Sequence, residues 1–130
     1  MNYNELLRLG KNKLKKKFIE QPSLDCEVLL SSILKCSRET LLINLDKLAT
    51  KKQIDKFNVY INKRESRRPV SQIIGKKEFW KNNFIINNYV LTPRPETELI
   101  IEKILHKIPG NSAKKILDIG TGSGCIIISI

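Results

Sequence analysis

No stretch of about 18 apolar residues occurs in the 130-residue sequence, so it contains no hydrophobic membrane-spanning helix. Met1 to Gly10 has no apolar block of the signal-peptide kind, and its lysine-rich continuation follows Leu6 and Leu7 instead of preceding such a block. The three cysteines, Cys26, Cys36 and Cys125, show no CxxC and no paired metal-ligand spacing. An odd number of thiols without a secretion signal predicts reduced cysteines and a cytoplasmic location. The single histidine, His106, has no Cys or His neighbour and reads as a surface residue, so no metal site is expected. Acidic residues are scarce, 13 against 24 Lys and Arg, for a formal charge of +11. Such a balance permits a polyanionic partner such as RNA, DNA or an acidic protein surface. Apolar residues at 41% and charged residues at 28% are ordinary globular usage, which argues against a disordered or fibrous chain.

The simplest account of the basicity is compositional, because lysine, isoleucine and asparagine are abundant together. The charge is nevertheless uneven. Lys11, Lys13, Lys15, Lys16 and Lys17 form one cluster, which at helical spacing reads as a solvated face. Lys63, Arg64, Arg67, Arg68, Lys76, Lys77 and Lys81 form a second, which flanks an expected hairpin and is the better candidate for a partner-binding patch.

Apolar periodicity predicts four helices in residues 1–68. The first spans 4–20, with Leu7, Leu14 and Phe18 apolar and Gly10 weakening it. Pro22 and Ser23 interrupt the pattern, and Ser23 is the expected N-cap of the second helix, with Asp25 and Glu27 in its first turn. Cys26, Leu29, Leu30, Ile33 and Leu34 then follow an i, i+3, i+4, i+7, i+8 stripe. Ser37 opens a short third helix carrying Leu41, Leu42 and Leu45. Thr50 with Gln53 matches a capping box for a fourth, with Ile54, Phe57 and Ile61 on its apolar face, through about Ser66. Short connections make this a small helical bundle.

After Pro69 the pattern changes. Residues 77–80 and 84–86 are β-prone runs separated by Lys81-Asn82-Asn83, a hairpin with asparagine in the turn. Tyr89-Val90-Leu91 is a further extended piece. In Thr92-Pro93-Arg94-Pro95-Glu96-Thr97-Glu98 two prolines stiffen the approach to a helix, with Pro95 at its first position and acidic residues in its first turn. Leu99, Ile100 and Ile104 continue it to about Ile108. Pro109-Gly110-Asn111 reads as a loop, and Lys115 to Ile119 as a short strand.

Gly120-Thr121-Gly122-Ser123-Gly124 follows that strand, and Cys125 onward reads as the opening of a helix. Strand, glycine turn and helix form the start of a nucleotide-type α/β domain, in which glycines let a ligand lie against bare main chain. The spacing is D-x-G-x-G-x-G, with Asp118 two residues before Gly120. A dinucleotide fold requires G-x-G-x-x-G, so the third glycine is one residue early, and no Walker lysine follows. The pattern resembles the first motif of class I S-adenosylmethionine methyltransferases.

Three more strings precede it in order: residues 68–75, Arg-Pro-Val-Ser-Gln-Ile-Ile-Gly; Glu78-Phe79-Trp80; and Leu91 to Glu98. Together with residues 116–124 they make the chain resemble the N-terminal part of the bacterial peptide chain release factor glutamine-N5 methyltransferases, over essentially all 130 residues. The resemblance implies an α+β chain. Its parts are a helical substrate-recognition domain at 1–68, a β-hairpin linker at 69–91, and at 92–130 the incomplete start of a class I, Rossmann-like methyltransferase α/β domain. It implies S-adenosyl-L-methionine as cofactor, held at Gly120, Thr121, Gly122, Ser123 and Gly124. It also implies a peptide chain release factor as protein partner, gripped by the helical domain and methylated on the glutamine side-chain nitrogen of its GGQ motif.

The family's catalytic Asn-Pro-Pro-Tyr motif does not occur in these residues, nor does the acidic residue at the end of a second strand, so no catalytic residue is assigned here and no turnover by these residues alone is expected. The apolar end, Cys125 to Ile130, lacks a cap or turn and is expected to be interrupted within a helix, with Ile126, Ile127, Ile128 and Ile130 short of a core to enter. Two rivals stand beside this reading. One is the related methyltransferase acting on a ribosomal protein glutamine, which shares the glycine turn. The other is a non-catalytic helical module binding a release factor or RNA.

Overall fold

Asn2 opens the first helix, α1 (Tyr3–Lys16). Its side chain accepts from the Glu5 N–H at 2.9 Å while the Glu5 carboxylate accepts from the Asn2 N–H at 3.0 Å. This reciprocal cap satisfies two backbone donors that the first turn leaves unpaired. Backbone bonds from Tyr3 N–H to Lys47 O (3.0 Å) and Ala49 N–H to Met1 O (3.0 Å) tie the same terminus to the segment before the fourth helix. The computed structural model describes residues 1–87, 89–108 and 115–130, in two compact units, Met1–Ile74 and Gly75–Ile130. The loop expected at 109–111 lies outside the described residues.

The first unit continues with α2 (Pro22–Leu34), α3 (Arg38–Ile43), α4 (Lys51–Glu65) and α5 (Val70–Ile74). Two expected caps are present: Ser37 Oγ accepts from the Thr40 N–H at 3.2 Å, and Thr50 with Gln53 closes a capping box at 3.3 and 2.8 Å. The expected Ser23 cap is not. Pro22 takes the first helical position of α2, Gln21 precedes it, and no side chain caps the end. Proline needs no N–H partner there, which removes part of the need for a cap.

The core of this unit is built from Leu6 and Leu14 of α1, Cys26, Leu29 and Leu30 of α2, Leu41 of α3, Phe57 and Ile61 of α4 and Ile73 of α5, with Tyr3 and Ile19. Two expectations change. The helix predicted to reach residue 20 ends at Lys16, and Phe18, expected on its apolar face, is 84% exposed; Ile19 enters the core instead. Residues 70–74, expected within the hairpin linker, form α5 and bring Ile73 to the bundle core. Gly10 also has a role its helix propensity hides. A Cβ there would lie 2.9 Å from the Phe57 ring and 3.0 Å from Cys26 Sγ, so its missing side chain is what lets α1 meet α4 and α2 closely.

A partly buried ion pair crosses the bundle. Arg64 Nε donates to Asp25 Oδ2 at 2.6 Å, and Arg64 Nη1 donates to the Arg68 carbonyl at 3.2 Å. Glu27 pairs with Arg38 at 2.8 Å. Three helices of this unit end on non-glycine residues in the left-handed region: Phe18 after α1, Lys35 after α2 and Arg67 after α4.

In the second unit β1 (Lys76–Phe79) and β2 (Asn82–Ile85) pair antiparallel, with Lys77 opposite Phe84 and Phe79 opposite Asn82. The turn is therefore Trp80-Lys81, with Trp80 at φ +55°, and not the expected Lys81-Asn82-Asn83. Burial of Phe79 and Phe84 on one face selects this register; their rings meet edge to face at 6.1 Å. Tyr89 is not in an extended piece: its N–H donates to Asn87 Oδ1 at 2.9 Å, and it is fully exposed.

Pro95 starts a short 3-10 turn, Pro95–Thr97, that leads into α6 (Glu98–Lys107). Glu98 Oε1 accepts from the Trp80 N–H at 3.0 Å and joins the hairpin turn to the head of this helix. Of the apolar residues on α6 it is Ile101 that is fully buried, while Leu99 and Ile100 are largely exposed. α7 (Cys125–Ser129) closes the unit, whose core is Phe79, Phe84, Ile86, Ile101 and Cys125, with Ile126 and Ile130 packed against it. The terminal isoleucines expected to lack a core thus find one in part; Ile128 remains 63% exposed.

Candidate functional site

Residues 115–118 form no β-ladder, and Leu117 and Ile119 are more than four-fifths exposed. The strand expected at 115–119 is therefore unpaired among the described residues. A parallel strand gains its hydrogen bonds and burial only from neighbours on both edges and layers on both faces. The segment nevertheless leads into a sharply built turn. Gly120, Gly122 and Gly124 all lie in the left-handed region, at φ +78°, +60° and +74°. A side chain at each would carry backbone strain, which accounts for three glycines at alternate positions. The turn is fastened internally: Thr121 Oγ1 donates to the Asp118 carbonyl at 3.0 Å, and the Gly124 N–H donates to the Thr121 carbonyl at 2.9 Å.

All five residues named from the sequence stand together in this turn. Gly120, Thr121 and Gly122 are exposed, Ser123 is half-buried, and Gly124 is buried, where a Cβ would meet Ile128 Cδ1 at 3.1 Å. Nothing lies within 4 Å of the Cβ position at Gly120, so the main chain there is open to a ligand. Two buried polar atoms at the turn, Asp118 Oδ2 and Ser123 Oγ, have no hydrogen-bond partner among the described residues. Orphaned buried polar atoms are costly unless something else satisfies them. A carboxylate oxygen and a hydroxyl beside bare, glycine-lined backbone suit a ligand that carries an amino group and hydroxyls, as S-adenosylmethionine does.

A second feature was not legible in the sequence. Leu7, Arg8 and Lys11 of α1, Cys26 and Glu27 of α2, and Leu42 with Leu45 line a groove of about 280 Å³ on the first unit. Leu7 and Leu42, read from the sequence as apolar helix positions, are not fully buried, Leu42 being 41% exposed. Cys26, at the groove floor, is buried, and its thiol is pushed up to about 12, first by burial and then by the neighbouring Asp25 and Glu27 carboxylates. Cys26, Cys36 and Cys125 are all free thiols.

Among the described residues no helix is long and apolar enough to cross a membrane. Residues 5–75 match the model of the PrmC N-terminal domain, which nearly coincides with the first compact unit. Along its whole length the chain is 42% identical to a release factor glutamine methyltransferase of Buchnera aphidicola subsp. Schizaphis graminum, of which it covers 46%. Over 93% of its length it is 39% identical to a protein of the same name from Caulobacter vibrioides, covering 42% of it. A bifunctional methyltransferase of Rickettsia felis is 33% identical over 97% of the chain, which covers 29% of that protein. The chain thus spans less than half the length of the curated relatives it matches. With a bundle core, a groove and a glycine turn in place, and a family match over more than half of its residues, the chain belongs to the PrmC N-terminal domain family, in the company of release factor glutamine methyltransferases.

Proposed function

We propose that these residues are the substrate-recognition domain and the opening of the cofactor site of an S-adenosylmethionine-dependent methyltransferase, acting on the side-chain amide nitrogen of the glutamine in the release factor GGQ motif. The observation that carries the reading is the glycine turn with its two orphaned polar atoms, Asp118 Oδ2 and Ser123 Oγ. The relatives' shared name supports the substrate class. In this proposal residues 92–130 begin a Rossmann-like domain, and residues 115–119 are its first strand. Gly120 and Gly122 give the ligand access to main chain, and Asp118 and Ser123 supply polar partners for it.

Bound S-adenosylmethionine supplies an electrophilic sulfonium methyl. The protein's task is to hold a poor nucleophile, an amide nitrogen with a delocalised lone pair, in line with that methyl and away from water. The first unit contributes the grip on the protein substrate, and its groove between Leu7, Lys11 and Leu42 is the proposed contact. The residues that orient the amide, an Asn-Pro-Pro-Tyr string in the family, do not occur in these 130 residues, so by themselves they are expected to give no turnover.

The test is methylation in vitro by a protein extended with the family's remaining domain, offered a release factor and a ribosomal protein in parallel, with transfer of labelled methyl counted. Transfer to the release factor glutamine, lost in Gly122→Val, is the expected result. Preferred transfer to the ribosomal protein would assign the rival substrate, and no transfer to either would refute the proposal.

A further inference from the structure

α1 and α4 end in the same way and at the same place. After α1 the Phe18 N–H donates to Lys15 O at 3.0 Å and the Ile19 N–H to Leu14 O at 3.2 Å; after α4 the Arg67 N–H donates to Arg64 O at 2.9 Å and the Arg68 N–H to Lys63 O at 3.3 Å. Each pair is a Schellman closure, whose left-handed position favours glycine. Here Phe18 and Arg67 occupy it, at φ +54° and +61°. Arg67 Nη2 donates to the Lys17 carbonyl at 3.4 Å, which joins the two ends. The end of the lysine cluster, Lys15 to Lys17, and the basic residues 63–68, separate in sequence, therefore share one end of the bundle.

At that end Lys16, Lys17, Lys63, Arg67 and Arg68 are exposed, and Phe18 stands 84% exposed among them. The acids nearest in sequence are Glu20, exposed, and Glu65, half-buried. Lysines in a last helical turn complement the helix dipole, which accounts for part of the charge. It does not account for a solvent-exposed phenyl ring held in a backbone conformation that costs it energy. Beside this end a groove of about 350 Å³ runs along α1 and α4, lined by Leu9, Asn12, Lys13, Lys16 and Asn58 with Gly10. It combines amide groups able to hydrogen-bond base edges with cations able to meet phosphates.

We infer that the joined ends of α1 and α4 bind single-stranded RNA, with Phe18 as a stacking platform and the flanking lysines and arginines on the phosphates. Aromatic stacking next to a cationic track is the general chemistry of sequence-tolerant single-strand binding. A purely acidic surface such as polyglutamate would use the charge and leave the ring without a stacking partner. The inference does not depend on the methyl-transfer reading.

The experiment follows the anisotropy of fluorescein-labelled U12 RNA with the 130-residue chain between 50 and 200 mM KCl. The slope of log K against log salt is expected to be about −0.7 per phosphate neutralised. Lys16→Glu with Lys17→Glu is expected to flatten that slope by about 1.4. Phe18→Gly is expected to weaken binding about fivefold or more while raising the thermal midpoint, because glycine fits the left-handed position better. Lys51→Glu with Lys52→Glu makes the same charge change at the other end of α4, roughly 20 Å away, and is expected to leave binding nearly unchanged.

Equal loss from the Lys51 and Lys52 pair would overturn the inference by reducing it to net charge. So would unaltered binding by Phe18→Gly, no binding at 50 mM KCl, or equally tight binding of a labelled polyglutamate peptide.

Discussion

Replacing Gly10 by alanine tests the packing of the first unit most directly, because two effects of opposite sign compete there. On helix propensity alone alanine is better than glycine in mid-helix by about 1 kcal/mol, and the substitution should stabilise α1. The structure opposes this. The new methyl carbon would sit 2.9 Å from two atoms of the Phe57 ring and 3.0 Å from Cys26 Sγ. Phe57 and Cys26 are both 1% exposed, so neither can swing into solvent, and the ring or the helix must shift. Overpacking of a well-filled core costs about 1–3 kcal/mol. The net expectation for Gly10→Ala is a loss of about 1 kcal/mol, or a midpoint lower by roughly 4–8 °C for a domain of this size.

The loss should disappear when the ring is trimmed. In a Phe57→Leu background Gly10→Ala should become neutral or stabilising, a coupling of roughly 1–2 kcal/mol between residues in contact. Urea unfolding followed by circular dichroism at 222 nm reads this, since most helical residues lie in the first unit. An increase of about 1 kcal/mol in the stability of the single variant would refute the close approach and leave Gly10 as an ordinary helix weakness.

Arg64→Ala should cost about 2 kcal/mol by the same assay, because it leaves the Asp25 carboxylate partly buried without its 2.6 Å partner; a cost under about 0.5 kcal/mol would place the pair with ordinary surface ion pairs. The Cys26 thiol, raised from an ordinary 9.0 to about 12, stabilises the fold fully below pH 9 and loses that contribution as pH rises towards 12, since the unfolded chain releases its proton first. The unfolding free energy of the parent, compared with Cys26→Ala, should therefore fall more steeply above pH 9, and parallel curves would refute the burial of the thiol. Glu98→Ala removes the carboxylate that accepts the Trp80 N–H at 3.0 Å, so the emission of the single tryptophan should shift to longer wavelength and the second unit should lose about 1.5 kcal/mol, whereas an unchanged spectrum would show that the hairpin turn is held by other contacts.

What the sequence determined by itself was local. The 3.6-residue stripe Cys26, Leu29, Leu30 marks α2, and the Ser37 and Thr50 caps mark the starts of α3 and α4, because a cap needs only residues three or so positions apart. The glycine spacing at 120–124 likewise follows from backbone geometry at single residues. Tertiary packing decided the rest. Phe18 and Ile19 exchanged places because α1 closes in a Schellman turn whose buried contact is Ile19 to Leu14. The hairpin turn moved to Trp80-Lys81 because Phe79 and Phe84 must share one face. Gly10, a helix weakness in one dimension, is a contact point in three, and Lys17 and Arg67, fifty residues apart, meet at one end of the bundle. A linear pattern records which residues are apolar or charged, but the partner that covers or meets them is chosen only when distant segments pack.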